Sequence, residues 1–230
     1  MLIVAALFAY FLVRGLTEGG TTRAVTNAGR ITELERSLGF FWEPSWQAAI
    51  GGSDFLIRAA NWIYMYGHWP VIVSVAVWLA LHRRTRYLLM RNAFLISGGT
   101  GLVCFAVFPT APPRLVANLE IVDTITIQSN FYRLLQPPAL TNQYAAVPRL
   151  HPGWNMLVGL VVFAETSRLL VRGAAVLLPI AMFMAAVMTG NHFIFDAVAG
   201  VAVALAGLGI AVLVSRHGSN KASARKSPAW

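Results

Sequence analysis

The sequence predicts an all-α, polytopic membrane protein: a bundle of six transmembrane helices with an N-terminal interfacial amphipathic helix. Of the 230 residues, 57% are hydrophobic and 12% are charged, whereas a soluble domain has about 25% charged residues. The mean hydropathy is +0.62, and several apolar runs approach the roughly 20 residues that a spanning helix needs. The formal net charge of +9 is typical of basic membrane loops, so we predict no nucleic-acid partner.

The first span is predicted from the apolar stretch Met1 to Val13, and the amphipathic helix follows it. In that helix, apolar side chains recur at helical spacing beside charged ones: Ile31, Leu34, Leu38 and Phe41. A position at the membrane surface is one interpretation of this pattern, and packing against the bundle is the other. Asn61 to Leu81 is predicted as the second span, and His68 and His82 are interpreted as interfacial residues with no role.

The remaining four spans are predicted at Asn92 to Phe108, Trp154 to Val171, Ala174 to Met188 and Phe193 to Val214. Prolines from Pro109 to Pro113 end the first of these, and Pro152 stands near the first turn of the next, where proline is tolerated. A loop of about forty residues separates these two spans, a length that is more often functional than idle. We predict one membrane-embedded domain over residues 1–215 and a basic, disordered tail over residues 216–230.

Basic residues are unevenly divided between the two sides of this arrangement. Ten of the 18 Lys and Arg residues fall on the side that holds the loop after residue 81, the turn after residue 167 and the C-terminal tail. Short basic connections mark the cytoplasmic side of a membrane protein. We therefore predict a plasma-membrane protein with both termini in the cytoplasm and the other loops outside it.

A histidine and an aspartate stand four residues apart in the turn before the last span, Thr189-Gly190-Asn191-His192-Phe193-Ile194-Phe195-Asp196. If a helix begins near Asn191, His192 and Asp196 share one face. Asn191 would cap that helix, whose positive end would hold a phosphate. Asp196 would fix the tautomer of His192 and leave its other nitrogen free to attack phosphorus. A structural His–Asp pair and a metal site shared with His151 stay open as alternatives.

Three more polar residues flank predicted spans on the same extracytoplasmic side. His151 would donate a proton to a leaving oxygen if it faced His192. Arg114 and Arg149 would clamp the phosphoryl oxygens, because fixed positive charge stabilises the transition state. The alternatives are a helix-capping or interfacial histidine, and arginines that reach the lipid headgroups.

These pieces resemble the motifs of the type 2 phosphatidic acid phosphatase superfamily, and most of all its branch related to inositol phosphorylceramide synthases. The matching stretches are Phe108-Pro109-Thr110-Ala111-Pro112-Pro113-Arg114, Tyr144-Ala145-Ala146-Val147-Pro148-Arg149-Leu150-His151-Pro152-Gly153-Trp154, and the turn from Thr189 through Asp196 with Gly200. The resemblance implies a six-helix membrane bundle and metal-independent phosphotransfer through a phosphohistidine, with no cofactor. It implies His192 as the nucleophile, Asp196 as its orienting carboxylate, His151 as the acid and Arg114 as a phosphate-binding residue.

Two positions depart from the family pattern. Arg149 stands where the second motif usually has a serine that contacts phosphate, and Ala186 stands where the wider superfamily has an arginine six residues before the histidine. We hypothesise that Arg149 restores the positive charge that is missing at Ala186. The opposite interpretation is that Arg149 blocks the pocket and that the protein is a degraded relative.

The predicted function is that of a membrane phosphotransferase or phosphatase that acts on a phospholipid headgroup. A hydrolase of lipid or polyprenyl phosphates and diphosphates is the second prediction. A catalytically degraded scaffold or a transporter would explain the spans but not the three motifs. The predicted partners are the membrane and a phospholipid or isoprenoid phosphate substrate, and the sequence predicts no oligomeric state.

Overall fold

The computed structural model describes residues 21–128, 144 and 146–224, and the regular elements in this part of the chain are helices. In chain order they are α1 (Thr21–Ser37), α2 (Glu43–Gly51), α3 (Asp54–Tyr66), α4 (Trp69–His82), α5 (Arg84–Val107), α6 (Thr124–Gln128), α7 (Leu150–Glu165), α8 (Leu169–Met188) and α9 (Ile194–Ala224), with 3-10 turns at Pro113–Leu115 and Ala117–Leu119. The all-α prediction is confirmed for these residues. The first predicted span, Met1 to Val13, lies outside them.

Within the described residues, fewer than six helices could span a membrane. Three are long and apolar enough: α5, α8 and the first 24 residues of α9. A fourth exists if α3 and α4, which meet at an angle of 41°, form one broken span. The prediction of an uninterrupted helix from Asn61 to Leu81 is wrong, since the chain breaks at Gly67 and His68. Pro70 explains the break, because a helix continued through it would drive the proline ring against the carbonyl of Tyr66.

The predicted span from Trp154 to Val171 is also interrupted. Helix α7 ends at Glu165 after 16 residues, about 24 Å, and a short connection leads to α8. The carboxylate of Glu165 accepts hydrogen bonds from Arg83 and Arg86 at 3.1 and 2.7 Å, which holds the end of α7 beside the start of α5. Helix α9, in contrast, continues to Ala224, past the predicted domain end at residue 215. The rest of the predicted tail lies outside the described residues.

Helix α1 packs against the end of the bundle, as the second interpretation of its pattern predicted. Its buried side chains Ala24, Ala28 and Ile31 form a cluster with Phe193, at the start of the last helix. The side chain of Asn27, also buried, donates a hydrogen bond of 2.8 Å to the carbonyl of Pro109. Val25 and Leu34 of α1, and Leu38 just after it, are exposed apolar side chains.

The starts of α7 and α9 approach each other closely at two glycines. A Cβ atom on Gly200 would overlap the carbonyl group of Arg149, and one on Gly153 would overlap the carbonyl group of Gly200. The backbones are joined there by a hydrogen bond of 3.0 Å from the Arg149 N–H to the carbonyl of Asp196. Only residues without a side chain allow this contact, and it sets the second and third sequence motifs next to each other.

Candidate active site

The turn before α9 is shaped by a glycine. Gly190 has a φ of +75°, a left-handed conformation that glycine adopts without strain. Its carbonyl accepts a hydrogen bond of 3.1 Å from the backbone N–H of Arg114. The turn thus ties the first sequence motif to the third and carries the chain into the position of His192.

The side chain of His192 is fully buried and lies between a carboxyl and a phenol group. Its Nδ1 atom is 3.5 Å from Oδ2 of Asp196, whose side chain is also fully buried. Its Nε2 atom is 3.1 Å from the hydroxyl of Tyr64. The same Asp196 oxygen accepts a hydrogen bond of 3.1 Å from the N–H of Phe193. With Nδ1 facing the carboxyl group, Nε2 is the nitrogen that faces the interior of the site.

His151 lies across the site from His192. The centroids of the two imidazole rings are 6.2 Å apart, and the Tyr64 ring is 5.8 Å from each of them. A phosphorus atom about 3 Å from an attacking nitrogen and a leaving oxygen within about 3 Å of a proton donor fit between two rings at this separation. The separation of the imidazoles therefore suits two groups on either side of one phosphoryl group, and the Tyr64 hydroxyl lies beside Nε2 of His192.

Both predicted clamp arginines reach this region. The guanidinium of Arg149 donates a long hydrogen bond of 3.4 Å to the Tyr64 hydroxyl, which also contacts Nε2 of His192. Arg114 is mostly buried and forms an ion pair of 3.1 Å with Asp123. Ala186 is fully buried and packs in one cluster with Tyr64. Tyr64 thus links Arg149 to the cluster that contains the position from which the family's arginine is missing.

Both histidines are expected to be neutral. Burial, followed by the charges of Arg149, His151 and Arg114, lowers the pKa of His192 well below its ordinary value. Burial, followed by the charges of His68 and Arg149, does the same to the pKa of His151. A neutral His192 keeps a lone pair on Nε2, which is the form that can attack phosphorus.

The prediction that Asn191 caps the last helix is wrong. The helix begins at Ile194, and the Asn191 amide donates to the carbonyl and hydroxyl oxygens of Thr189 instead, at 3.1 and 3.0 Å. The reason is that side-chain carboxyl groups accept the first N–H groups of α9, and such charge-assisted acceptors are stronger than an amide. A phosphate contact by Asn191 stays a prediction.

Two of those carboxyl groups come from the N-terminal part of the chain. Glu35 of α1 accepts the N–H of Phe195 at 2.7 Å, and Glu43 of α2 accepts the N–H of Ile194 at 2.8 Å. Neither residue was assigned a role from the sequence. The histidine motif lies about 150 residues further along the chain, so no local sequence pattern indicates these contacts.

Sequence reasoning also missed Tyr64 and His68. His68 was interpreted as interfacial; its side chain is buried, with its ring centroid 4.3 Å from that of His151. The His68 ring also stacks on that of Trp154, with the ring centroids 6.1 Å apart. Both residues lie in an apolar stretch without a motif, so only the break between α3 and α4 places them in the site.

Within residues 21–128, 144 and 146–224, no three His, Cys, Asp or Glu side chains converge in the way that a metal site requires. His192 and Asp196 make their closest polar contacts with each other, with Tyr64 and with the backbone.

Comparisons with known proteins agree with the shape of the bundle. Residues 29–210 match the family model described as the PAP2 superfamily. No curated protein matches the sequence. The fold is similar to that in the crystal structure of LpxE from Aquifex aeolicus, with a TM-score of 0.54 and 13% sequence identity, covering 70% of this chain and 87% of that one. At this identity the likeness concerns the fold alone.

Proposed function

This chain belongs to the PAP2 superfamily, and on that premise we propose that it is a membrane enzyme that transfers the phosphoryl group of a lipid phosphate through a phosphohistidine. The observation that carries the proposal is the pair of imidazole rings 6.2 Å apart, with a carboxyl group behind one of them. A scaffold or a transporter has no need for this arrangement, which favours an enzyme.

In the first half-reaction Nε2 of His192 attacks phosphorus. An N–P bond forms, the P–O bond to the leaving group breaks, and His151 gives its proton to the departing oxygen. The imidazole of His192 becomes positively charged, and Asp196, 3.5 Å from Nδ1, stabilises that charge. Arg149 and Arg114 stabilise the negative charge on the phosphoryl oxygens.

In the second half-reaction the acceptor attacks the phosphohistidine. His151, now neutral, takes the proton of a water molecule or an alcohol; the new P–O bond forms, and the N–P bond to His192 breaks. His192 is then neutral and free of phosphate again, and His151 again carries the proton. The low pKa of His151 implies that its proton arrives with the substrate, since a bound phosphate monoanion carries one and its negative charge raises the pKa of a neighbouring imidazole.

The acceptor distinguishes the two candidate activities. The resemblance to the inositol phosphorylceramide synthase branch favours an alcohol acceptor and a phospholipid headgroup donor, whereas water as the acceptor makes the protein a phosphatase for lipid or polyprenyl phosphates. The charge distribution supports a site on the extracytoplasmic side, because the Glu165 end of the bundle, opposite the histidines, carries Arg83 and Arg86.

Purified protein in detergent is expected to release phosphate or transfer a headgroup when it is given phospholipids and isoprenoid phosphates in turn. Mass spectrometry of the lipids identifies the donor and the acceptor, and mass spectrometry of the protein detects a phosphate adduct on His192. Activity should persist in a strong chelator, because the proposed route uses only side chains. An enzyme that loses activity in the chelator and regains it with a divalent cation would contradict the metal-independent route.

Arg149→Ser is expected to lower kcat/KM by about 100-fold, because it removes a fixed positive charge from the phosphoryl oxygens. Arg168→Ser is the matched control, since Arg168 is exposed in the connection between α7 and α8. Unchanged activity of Arg149→Ser would contradict a role in phosphate binding. Increased activity would support the alternative that Arg149 blocks the pocket.

A further inference from the structure

Three consecutive backbone N–H groups at the start of α9 each donate to a different carboxyl group. Phe193 donates to Asp196 at 3.1 Å, Ile194 to Glu43 at 2.8 Å and Phe195 to Glu35 at 2.7 Å. These N–H groups directly follow His192, so the backbone that carries the proposed nucleophile is held by acceptors from α1, α2 and α9 itself.

Glu35 and Glu43 are buried to an unusual degree for glutamates, with 0% and 1% of their surfaces exposed. Neither forms an ion pair within the described residues. In each, Oε1 accepts a backbone N–H. The other oxygen, Oε2, is buried and has no hydrogen-bond partner in the described part of the chain. The two carboxyl groups are neighbours, because their Oε1 atoms accept the N–H groups of consecutive residues, and the charge of Glu43 acts on Glu35. Two ionised carboxylates have no hydrogen to place between them, so a hydrogen bond between the two Oε2 atoms needs a proton.

We propose that Glu35 and Glu43 form a carboxyl pair that shares one proton and acts as a positioning element for His192. One proton between the two Oε2 atoms gives each buried oxygen a partner and leaves the pair with a single negative charge. That charge lies against the positive end of α9, where it is favourable. The inference rests on the proposed function, because it assigns the pair to the positioning of His192, the proposed nucleophile.

The electrostatic surroundings agree with a proton that is kept at neutral pH. Burial, and then the charge of Glu43, raises the pKa of Glu35 to about 9 against the opposing hydrogen bond from Phe195. Among the described residues, Asp196 also faces the pair and interacts electrostatically with both glutamates and with Arg149. Above about pH 9 the pair would carry two negative charges beside Asp196, and the start of α9 would lose its arrangement.

Glutamine substitutions test the shared proton, because a glutamine has the shape of a protonated glutamic acid. In E35Q or E43Q, the amide oxygen still accepts the backbone N–H and the amide nitrogen donates to the remaining carboxylate. Each single variant should retain activity within about 3-fold at pH 7. The double variant E35Q/E43Q places two amide donors against each other, and kcat should fall at least about 30-fold, more than the product of the single effects.

Hydrolysis of p-nitrophenyl phosphate by the detergent-purified full chain is the assay, with the thermal unfolding midpoint measured in parallel. Wild-type activity should fall with a midpoint near pH 9, and E35Q should lose this alkaline limb, which a purely structural role would not affect. E33Q is the matched control, since Glu33 is exposed on the same helix. If the double variant does not fold, the pH profiles of the two single variants test the proposal: it requires that the fall in activity near pH 9 disappears from them.

The proposal is overturned if each single glutamine variant already loses about 30-fold and the double variant shows their product, as two independent carboxylates would. It is also overturned if E35Q keeps the wild-type alkaline limb. Failure of the proposed function gives a different result: in that case H192A would retain activity whatever the glutamine variants do.

Discussion

His192→Ala is expected to abolish phosphoryl transfer, with a fall in kcat of about 10⁴-fold or more, the size seen when a catalytic nucleophile is removed. The reason is that Nε2 of His192 is the one atom in the proposed route that bonds to phosphorus. The alanine variant keeps Asp196, Tyr64 and Arg149 but has no lone pair where the phosphoryl group must bond. The measurement is kcat with the best lipid substrate, together with mass spectrometry for a phosphate adduct on the protein.

The matched control is His82→Ala. His82 is exposed, and its Nδ1 lies 3.1 Å from the carbonyl of Trp78, within its own helix; we expect wild-type activity from this variant. The unfolding midpoint of His192→Ala should also be measured, because the histidine is fully buried and its removal leaves a cavity. Folded His192→Ala protein that turns over lipid phosphate at a rate close to wild type would refute the phosphohistidine route.

The meeting of the histidine motifs could be predicted from the sequence because both motifs adjoin predicted helix ends. In the predicted alternation of six spans, the residues after the third span, before the fourth and before the sixth lie on one side of the membrane. In the structure, His151 and His192 are near each other, and Gly200 allows the contact between their helices. Hydrophobic periodicity and the positions of the loops are therefore enough to predict that the two histidines meet, although the predicted helix bounds differ from the observed ones by several residues.

Tyr64 and His68 could not be predicted, because their role depends on where one apolar stretch breaks. Hydropathy alone makes residues 61–81 a single span. The chain instead bends by 41° at a glycine and a proline, and this turns two ring side chains toward His151. In a continuous helix, a tyrosine or histidine is as readily interpreted as a residue of the membrane interface as a residue of an active site.

Glu35 and Glu43 show a second limit of sequence reasoning. A charged residue in an amphipathic pattern is normally assigned to the solvated face, and Glu33 follows that rule, whereas Glu35 is fully buried. The helical spacing does place Glu35 four residues after Ile31, on the buried face. A buried carboxyl group on that face is a signal that needs a partner, but the partner, an N–H group 160 residues away, is not visible in the sequence.

His151→Gln is expected to separate the two half-reactions. In the first, His151 donates a proton to the leaving oxygen, a contribution of about 10²- to 10⁴-fold for an alcohol leaving group. The p-nitrophenolate anion departs without a proton, so this loss should be largely absent with p-nitrophenyl phosphate. In the second half-reaction, His151 takes the proton of the attacking water or alcohol. This step is needed whatever the leaving group of the first half-reaction was.

The variant should therefore release a rapid burst of about one equivalent of p-nitrophenol and then turn over slowly, because the phosphohistidine forms and is not discharged. Mass spectrometry should find the phosphate on His192, and His192→Ala should show no burst. With an alkyl or lipid phosphate, His151→Gln should show neither a burst nor fast turnover. A variant slowed equally on both kinds of leaving group, without an adduct, would mean that His151 only shapes the site and that another group, with Tyr64 the nearest hydroxyl to His192, moves the proton.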